Sequence, residues 1–138
     1  MDGKVRYMRK EQIINEIYKY NTEHALKGYT KKYSKKWLAK ALNKGDLIYI
    51  EDNNEVLAYA CAFFFPEEIF VNLAILGVNP KYLHKSYGMQ ILNQFIKKFG
   101  ERTIVLNVSK ENPIAIKFYK KMGLKIIKSL DDKYLMKI

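Results

Sequence analysis

A short polar turn between a predicted strand and a predicted helix is the stretch whose residues most directly indicate chemistry. The turn, residues 83–88, follows strand-forming residues that end at Pro80, and Gly88 lies on the buried side of the next element. That element is predicted to be a helix, because its apolar residues recur with a period near 3.6: Ile91, Leu92, Phe95, Ile96 and Phe99. Such a junction directs free N–H groups and the positive end of the helix dipole toward one point. The sequence therefore predicts an anion site, most often one for phosphate.

Few other residues have types or spacings that suggest chemistry. Gly77 interrupts the strand before the turn, and an internal glycine predicts a bulge or a close backbone approach. Cys61 lies between alanines in an apolar run and is interpreted as an inert core thiol. No group of Cys and His residues has the spacing of metal ligands. The acidic turns at residues 51–52 and 67–68 are interpreted as solvated hairpins, with attraction of a cationic amine as the alternative.

The periodicity of the chain predicts an α/β fold with a mixed, mostly antiparallel sheet of six to seven strands and about four helices. Predicted strands cover residues 5–8, 47–50, 56–65, 69–78, 103–108, 124–130 and 133–138. Predicted helices cover residues 11–20, 35–42 with Ser34 as N-cap, the stretch that ends at Gly100, and residues after the N-cap Asn112. The second helix is expected to bury Trp37, Leu38 and Ala41, and residues 21–33 are expected to form a loop, with a helical turn inside it as an alternative. The strand at 103–108 is expected to run parallel to its predecessor, because the helix between them is a crossover.

Length and composition favour one domain over residues 1–138, with 49% apolar and 14% aromatic residues to build a core. The longest apolar run, residues 56–65, is about half the ~20 residues that a membrane-spanning helix needs. The first residues are polar and charged, which does not suggest a signal peptide. A single cysteine excludes an internal disulfide and favours a cytoplasmic protein. With no apolar run of spanning length, no membrane partner is expected.

The net charge of +11 is unevenly distributed. Residues 1–44 carry twelve Lys/Arg and four acids, residues 45–80 carry six acids and no Lys/Arg, and residues 81–138 carry thirteen Lys/Arg and four acids. The basic last segment contains the phosphate-type turn and suits a polyanionic ligand. The acidic middle argues against a surface built for nucleic acid throughout, although the charge does not exclude nucleic acid as a partner. The alternative is that lysine is simply the solubilising surface residue of this chain.

Two segments, together with the order of the elements, resemble the GNAT acyltransferases. The segment 112–124 is similar to the family motif N-x-x-A-x-x-F-Y-x-x-x-G-F, with Leu124 in place of the last Phe and matches at Asn112, Ala115, Phe118, Tyr119 and Gly123. The segment 76–88 resembles the strand-to-helix acyl-CoA motif, whose pattern Q/R-x-x-G-x-G/A appears here as Leu83-x-x-Ser86-x-Gly88. Ser86 still supplies a backbone amide to such a loop, and its hydroxyl adds a donor. The resemblance covers nearly the whole chain.

The resemblance implies acetyl-CoA (CoA) as cofactor and assigns roles by position. A bulge near Gly77 opens the strand, and the backbone of Leu76 and Val78 pairs with the pantetheine arm. Amides from Lys85 to Met89 hold the pyrophosphate, and a backbone N–H near the bulge stabilises the oxyanion. Tyr119 is the general acid for the departing thiolate, and Lys117, Lys120 and Lys121 meet the adenosine phosphate end. The residues assigned to the cofactor are Leu76, Gly77, Val78, Leu83, His84, Lys85, Ser86, Tyr87, Gly88, Met89, Asn112, Phe118, Tyr119 and Lys121.

The general base is the least conventional part of the implied site. Many relatives have a Glu at one of two strand positions that are Asn72 and Asn107 here, and an amide cannot accept a proton at neutral pH. The hypothesis is that these two asparagines position a proton-relay water or the substrate itself. The alternatives are that a carboxylate takes the proton (Glu67, Glu68 or Glu111), or that the substrate arrives neutral.

The resulting prediction is an N-acetyltransferase in which a primary amine attacks acetyl-CoA directly within a ternary complex. The acceptor is left open between a small molecule, a protein N-terminus and a lysine side chain, and a homodimer is also left open. The alternative is a non-enzymatic GNAT-like binding module whose basic surface holds nucleic acid or an acidic protein partner.

Overall fold

The computed structural model describes residues 7–138, which form six strands and four helices. The strands are β1 (Leu47–Asp52), β2 (Glu55–Phe63), β3 (Phe70–Val78), β4 (Thr103–Ser109), β5 (Lys125–Ser129) and β6 (Lys133–Lys137). The helices are α1 (Lys10–Leu26), α2 (Lys35–Lys44), α3 (Tyr87–Phe99) and α4 (Pro113–Lys121), with a 3₁₀ turn at Pro80–Tyr82. The strands form one sheet in the order β1-β2-β3-β4-β6-β5, and only the β3–β4 pair is parallel. The predicted fold class and the parallel crossover are confirmed.

The first part of the chain differs most from its prediction. The predicted strand at 5–8 lies partly outside the described residues, and Tyr7 and Met8 belong to no strand. The predicted loop at 21–33 is also wrong in its first part, because α1 continues to Leu26. Asn21 explains the extension, since its buried side chain donates to the Lys31 carbonyl (3.1 Å) and accepts from the Tyr33 amide (2.9 Å). The hydrogen bonds of Asn21 to a distant segment thus stabilise the helix beyond its predicted end.

The second helix follows its local signals. The Ser34 side chain accepts a hydrogen bond from the Trp37 amide (3.1 Å), which confirms the predicted N-cap. Leu38 and Ala41 are buried as expected. Trp37 is only partly buried, because its ring packs against the Tyr33 ring near the surface, with centroids 4.2 Å apart.

The two faces of the sheet carry separate apolar clusters. Residues of β2 alternate between them, since Ala60 faces the cluster that contains α3, whereas Tyr59 and Cys61 face the cluster that contains α1 and α2. Helix α4 packs at the margin of the α3 cluster through residues that include Phe118 and Tyr119. Helices α3 and α4 therefore share one face, and α1 and α2 occupy the other. None of the helices within residues 7–138 combines the length and the apolar character needed to cross a membrane.

The predicted bulge near Gly77 is wrong in its position. The β2–β3 register passes from Cys61↔Ile75 to Ala62↔Leu73, so the extra residue is Ala74. The bulge changes the face of the strand, which places Leu73 in the α3 cluster and Ile75 in the α1 cluster.

Gly77 instead confirms the other expectation for an internal glycine, a close approach to its backbone. It pairs with Tyr59 across β2 and β3, and a Cβ atom at Gly77 would lie 2.3 Å from the Tyr59 hydroxyl oxygen. Glycine is therefore needed here because an aromatic ring packs directly over the backbone.

A split in the middle of the sheet is the feature of the fold that matters most for function. The parallel β3–β4 register covers three pairs, Phe70↔Thr103, Val71↔Ile104 and Asn72↔Val105. Beyond Asn72 the two strands separate, while β4 remains paired with β6 as far as Ser109. The chain thus opens β3 from its neighbour as predicted, but the opening begins at Asn72 rather than at Gly77.

Candidate active site

The polar turn at the head of α3 has the backbone geometry of an anion site. His84 and Ser86 both adopt left-handed backbone conformations, with φ values of 65° and 67°. Conformations of this kind, alternating with ordinary ones, turn successive N–H groups toward a common point. The first helical amide bonded to a preceding carbonyl is that of Gln90, which donates to Ser86 O (3.1 Å), so the amides of the first turn face outward. Ser86 occupies a glycine position of the family pattern and adopts the conformation that favours glycine.

Asn79 holds this turn to the sheet, and the sequence analysis gave it no role. Its side chain is 2% exposed, donates to the Val56 carbonyl (3.0 Å) and accepts from the Lys81 amide (3.1 Å). Its own amide donates to the Leu57 carbonyl (2.8 Å). The only local signal was the Asn-Pro pair that precedes the turn.

Glu55 also holds the segment before the polar turn, through contacts with Lys81 and Tyr82. Its carboxylate pairs with Lys81 (2.9 Å) and accepts a hydrogen bond from the Tyr82 hydroxyl. These contacts lower the pKa of Glu55, with the Tyr82 hydrogen bond as the largest cause and the Lys81 hydrogen bond next. Glu55, beside the β1–β2 turn, therefore stabilises the segment that leads into the polar turn at the head of α3.

The two family motifs meet at Gly88. A Cβ atom on Gly88 would lie 3.5 Å from the Phe118 ring and 3.6 Å from the Val78 side chain, both ordinary contacts. The head of α3, the end of β3 and the middle of α4 are therefore in contact at this point. The absence of a side chain leaves the backbone of α3 accessible beside α4.

Tyr119 carries the proton that the implied general acid requires. It lies on α4, partly buried, at the margin of the α3 cluster. Burial is the cause that raises the pKa of its hydroxyl above the ordinary value. The phenol therefore keeps its proton at neutral pH, which is the state that a proton donor needs.

Asn112 has a structural contact that competes with its implied role. Its side-chain oxygen accepts from the Ala115 amide (3.2 Å), so Asn112 caps α4 as predicted. Only its side-chain NH₂ group remains to contact a ligand. The lysines assigned to the adenosine phosphate end are all exposed on α4: Lys117, Lys120 and Lys121.

Asn72 and Asn107 lie on the same face of the sheet near the base of the split. Their neighbours Val71 and Leu106 belong to the α3 cluster, so alternation directs both asparagines to the α1–α2 face. Asn72 is partly buried, and Asn107 is exposed. Asn72 pairs with Val105, which precedes Asn107 by two residues on β4.

The alternative proton acceptors lie in the turns next to the strands that carry this pair. Glu68 precedes Asn72 by four residues and Glu111 follows Asn107 by four, and each lies outside the strand. The turn that carries Glu67 and Glu68 is held by Arg102, whose guanidinium donates to the carbonyls of Phe65 (3.1 Å) and Glu68 (2.5 Å).

Other titratable residues are not part of this arrangement. Burial raises the pKa of the Cys61 thiol to about 12, in agreement with an inert core cysteine. A groove of about 460 Å³ lies between α1 and α2, lined by residues such as Ile14 and Leu42, and is separate from the split. No cluster of metal-ligating side chains occurs within residues 7–138.

The sequence model of the acetyltransferase (GNAT) family matches residues 11–124. The chain therefore belongs to the acetyltransferase (GNAT) family, which confirms the resemblance, and it is an acyl-CoA-dependent N-acetyltransferase by class. A comparison with curated proteins finds no match.

Solved structures of several acetyltransferases share the fold. Naa50 of Arabidopsis thaliana, in complex with the bisubstrate analogue CoA-Ac-MVNAL, is 22% identical, with 96% of this chain and 95% of that chain covered and a TM-score of 0.76. The ribosomal-protein-S18-alanine N-acetyltransferase of Escherichia coli is 17% identical, with 96% and 90% covered and a TM-score of 0.71. Spermidine N-acetyltransferase of Vibrio cholerae, in complex with CoA and spermine, is 17% identical, with 96% and 92% covered and a TM-score of 0.73. At these identities the likeness shows a common fold.

Proposed function

We propose that this protein transfers the acetyl group of acetyl-CoA to a primary amine by direct attack in a ternary complex. The split between β3 and β4 is the observation that carries the proposal. It begins at Asn72 and leads along β3 to Val78, beyond which the chain forms the anion-binding turn at the head of α3. Six residues of extended strand span about 20 Å, so the split can hold an extended arm with its phosphate end at the turn.

The donor would bind to backbone groups for most of its length. The amides from Lys85 to Met89 face the site of the pyrophosphate, and Lys85 adds a positive charge. Leu76 and Val78 belong to the part of β3 that β4 leaves unpaired, so their backbone is available to an added strand. The bound CoA compounds of the structural neighbours support this donor.

The proposed chemistry assigns one task to each group. The amine nitrogen forms a bond to the thioester carbonyl carbon, and the C–S bond breaks. A backbone N–H near Ala74 donates to the developing oxyanion. Tyr119 donates its proton to the departing thiolate and is reprotonated from solvent. Asn72 and Asn107 hold the water that receives the proton of the amine, because neither amide can take that proton itself.

The proposal is tested in two steps. Acetyl-CoA at 100 times its Kd should stabilise the folded protein by about 2.7 kcal/mol, which thermal unfolding detects. A panel of primary amines is then assayed for release of the free thiol of CoA together with the acetylated amine by mass spectrometry. No shift of Tm at millimolar acetyl-CoA and no acetylated product from any amine would leave the non-enzymatic binding module as the better account.

A further inference from the structure

The segment that joins α1 to α2, together with α2 itself, contains many lysines and no acidic residue. Residues 27–44 contain seven lysines and no acid, and all seven are exposed. Lys44 pairs with Asp46 (3.3 Å), and the other six form no ion pair with a carboxylate of residues 7–138. These six are called the lysine rim: Lys27, Lys31, Lys32, Lys35, Lys36 and Lys40.

The path of α1 places the beginning of the rim on the face of the sheet that Asn72 and Asn107 share, which is called the acceptor side. Just before α1, the Met8 amide contacts the Glu51 carboxylate of β1 (3.4 Å). The helix then crosses β2, where Glu16 accepts from the Val56 amide (3.2 Å). Its Tyr20 ring stacks on Tyr59, which pairs with Gly77 of β3. The helix therefore runs from the β1 edge toward β3, and the connection after it lies on the face that Asn72 and Asn107 share.

Three of the rim lysines lie over aromatic rings. The ammonium groups of Lys32 and Lys35 lie 5.5 and 5.2 Å from the centre of the Tyr18 ring, and that of Lys31 lies 5.9 Å from the Tyr33 ring. Asn21 fixes the connection through its two hydrogen bonds to residues 31 and 33. Cations that are already positioned lose less conformational freedom when they bind an anion.

Two rim lysines oppose the stability of their own helix. Lys35 and Lys36 occupy the first turn of α2, which contains no acidic residue. A helix N-terminus carries a partial positive charge, so cations at this position are unfavourable. The helix end and the lysines together concentrate positive potential on one side of the acceptor face.

The acceptor side has uncharged side chains at the base of the split, whereas Lys133 and Lys137 of β6 lie on the same face of the sheet because they pair with Ser109 and Val105 of β4. The uncharged side chains are those of Asn72, Asn107 and the 46%-exposed Phe63, which pairs with Asn72 across β2 and β3. An amine on a neutral first residue can therefore reach the base of the split, while the groups that follow it meet the rim. A polyamine would bring further positive charges against six uncompensated lysines.

We infer that the acceptor is the α-amino group of a polypeptide whose first residue is uncharged and whose following residues are acidic. The inference rests on the proposed function and names its acceptor class. The rim continues from the connection along α2 as far as Lys40, and five helical residues alone extend about 7.5 Å. Six lysines without a carboxylate partner in residues 7–138 match several consecutive acidic residues in charge, whereas a polyamine would be repelled.

The test compares three peptides of equal length that begin with the same two uncharged residues. Their residues 3–6 are all Glu, all Gln or all Lys, and spermidine is the fourth acceptor. Acetylation kinetics are measured at saturating acetyl-CoA, and binding of labelled peptides to the CoA-loaded protein is measured by fluorescence anisotropy. We expect kcat/KM for the Glu peptide to exceed that for the Gln peptide at least tenfold and that for the Lys peptide and spermidine by more, with the differences shrinking as salt is added.

Charge reversal within the rim tests which lysines cause the preference for the Glu peptide. Lys31→Glu/Lys32→Glu should remove the preference for the Glu peptide in both binding and kcat/KM. The matched control is Lys97→Glu/Lys98→Glu, which changes the net charge equally at exposed positions of α3, on the opposite face of the sheet, and should retain the preference.

The outcomes separate the inference from the proposed function. Preferential binding of the Glu peptide through Lys31 and Lys32, without acetylation of any acceptor, would refute the proposed function and retain the rim as an anionic peptide site. Acetylation without preference among the peptides, or an equal loss in the control variant, would overturn the inference. Binding of a short RNA duplex at the rim more tightly than the Glu peptide, with no effect of charge on acetylation, would overturn it in favour of a nucleic-acid surface.

Discussion

Asn72 and Asn107 bring amide groups to a place where acetyl transfer requires a proton acceptor. Both lie on the acceptor face near the base of the split, and neither has a carboxylate beside it along its own strand. On the donor side, the burial of Tyr119 keeps a proton available. In the proposed mechanism Tyr119 holds a proton at neutral pH and neither asparagine can accept one, so we expect kcat/KM to rise with pH as the acceptor amine loses its own proton.

Replacement of the Tyr119 hydroxyl tests the donor of that proton. Tyr119→Phe should lower kcat by about 10²–10³-fold while it changes the Kd of acetyl-CoA less than threefold, because the ring remains and only the proton is lost. Tyr49→Phe, at a partly buried position on β1, is the matched control. Equal kcat values for Tyr119→Phe and the wild type would remove Tyr119 from the mechanism.

Packing around the single residue Gly77 gives a prediction about stability. Gly77→Ala should reduce the free energy of unfolding by about 2 kcal/mol, because the new methyl group overlaps the Tyr59 ring. Gly88→Ala is the control in chemical denaturation without ligand, since its methyl group would make only ordinary contacts. The explanation fails if the two variants unfold at the same denaturant concentration.

At the scale of elements, the anion-binding turn combines a firm attachment with local strain. Asn79 and Glu55 hold its beginning to β2 and the β1–β2 turn, while His84 and Ser86 take conformations that L-residues with side chains rarely adopt. Only fixed surroundings maintain such backbone angles. Ser86 thus adopts a conformation that favours glycine, although it departs from the family pattern at this position.

Glycine at position 86 should relieve part of this strain. A non-glycine residue in the left-handed region costs about 1–2 kcal/mol, and the flexibility of glycine in the unfolded chain offsets about half of that gain. We expect Ser86→Gly to raise Tm by about 2–4 °C without ligand. Lys85→Gly, at a neighbour without positive φ, should lower Tm instead. An unchanged or lower Tm for Ser86→Gly would mean that the turn is not strained there.

At the scale of the whole molecule, local signals were predictable from the sequence and contacts between distant segments were not. Ser34 and Asn112 cap their helices through bonds three residues away, so composition alone revealed them. Asn21 and Asn79 act through partners on other elements, and no local pattern indicates a buried asparagine of this kind. The position of the bulge also depended on β2, because register is a property of two strands. The motif at 112–124 identified the family, whereas the course of α1 was needed to place the lysine rim.

Stability should also depend on pH through His24, in the last turn of α1. Burial, followed by repulsion from Lys27, lowers the pKa of His24 in the folded protein. Between this lowered pKa and the unfolded value of about 6.5, the unfolded chain binds more protons, so stability falls as the pH falls through this window. The Tm of the wild type should decrease from pH 7.5 to pH 5.5 by more than that of His24→Gln. His84→Gln is the matched substitution, and an effect equal to that of His24→Gln would contradict this assignment.

The split has a consequence for the protein without its donor. Beyond Asn72 and Val105, β3 and β4 present facing strand edges to water inside the sheet, and such edges are templates for pairing with any extended chain. Without acetyl-CoA, the amides of residues 73–78 that face the split should exchange their hydrogens for deuterium quickly, whereas those bonded to β2 exchange slowly. Bound acetyl-CoA should slow exchange in the first group and reduce the tendency of the protein to associate through these edges. The donor would then act as a seventh strand that completes the sheet as well as a reactant.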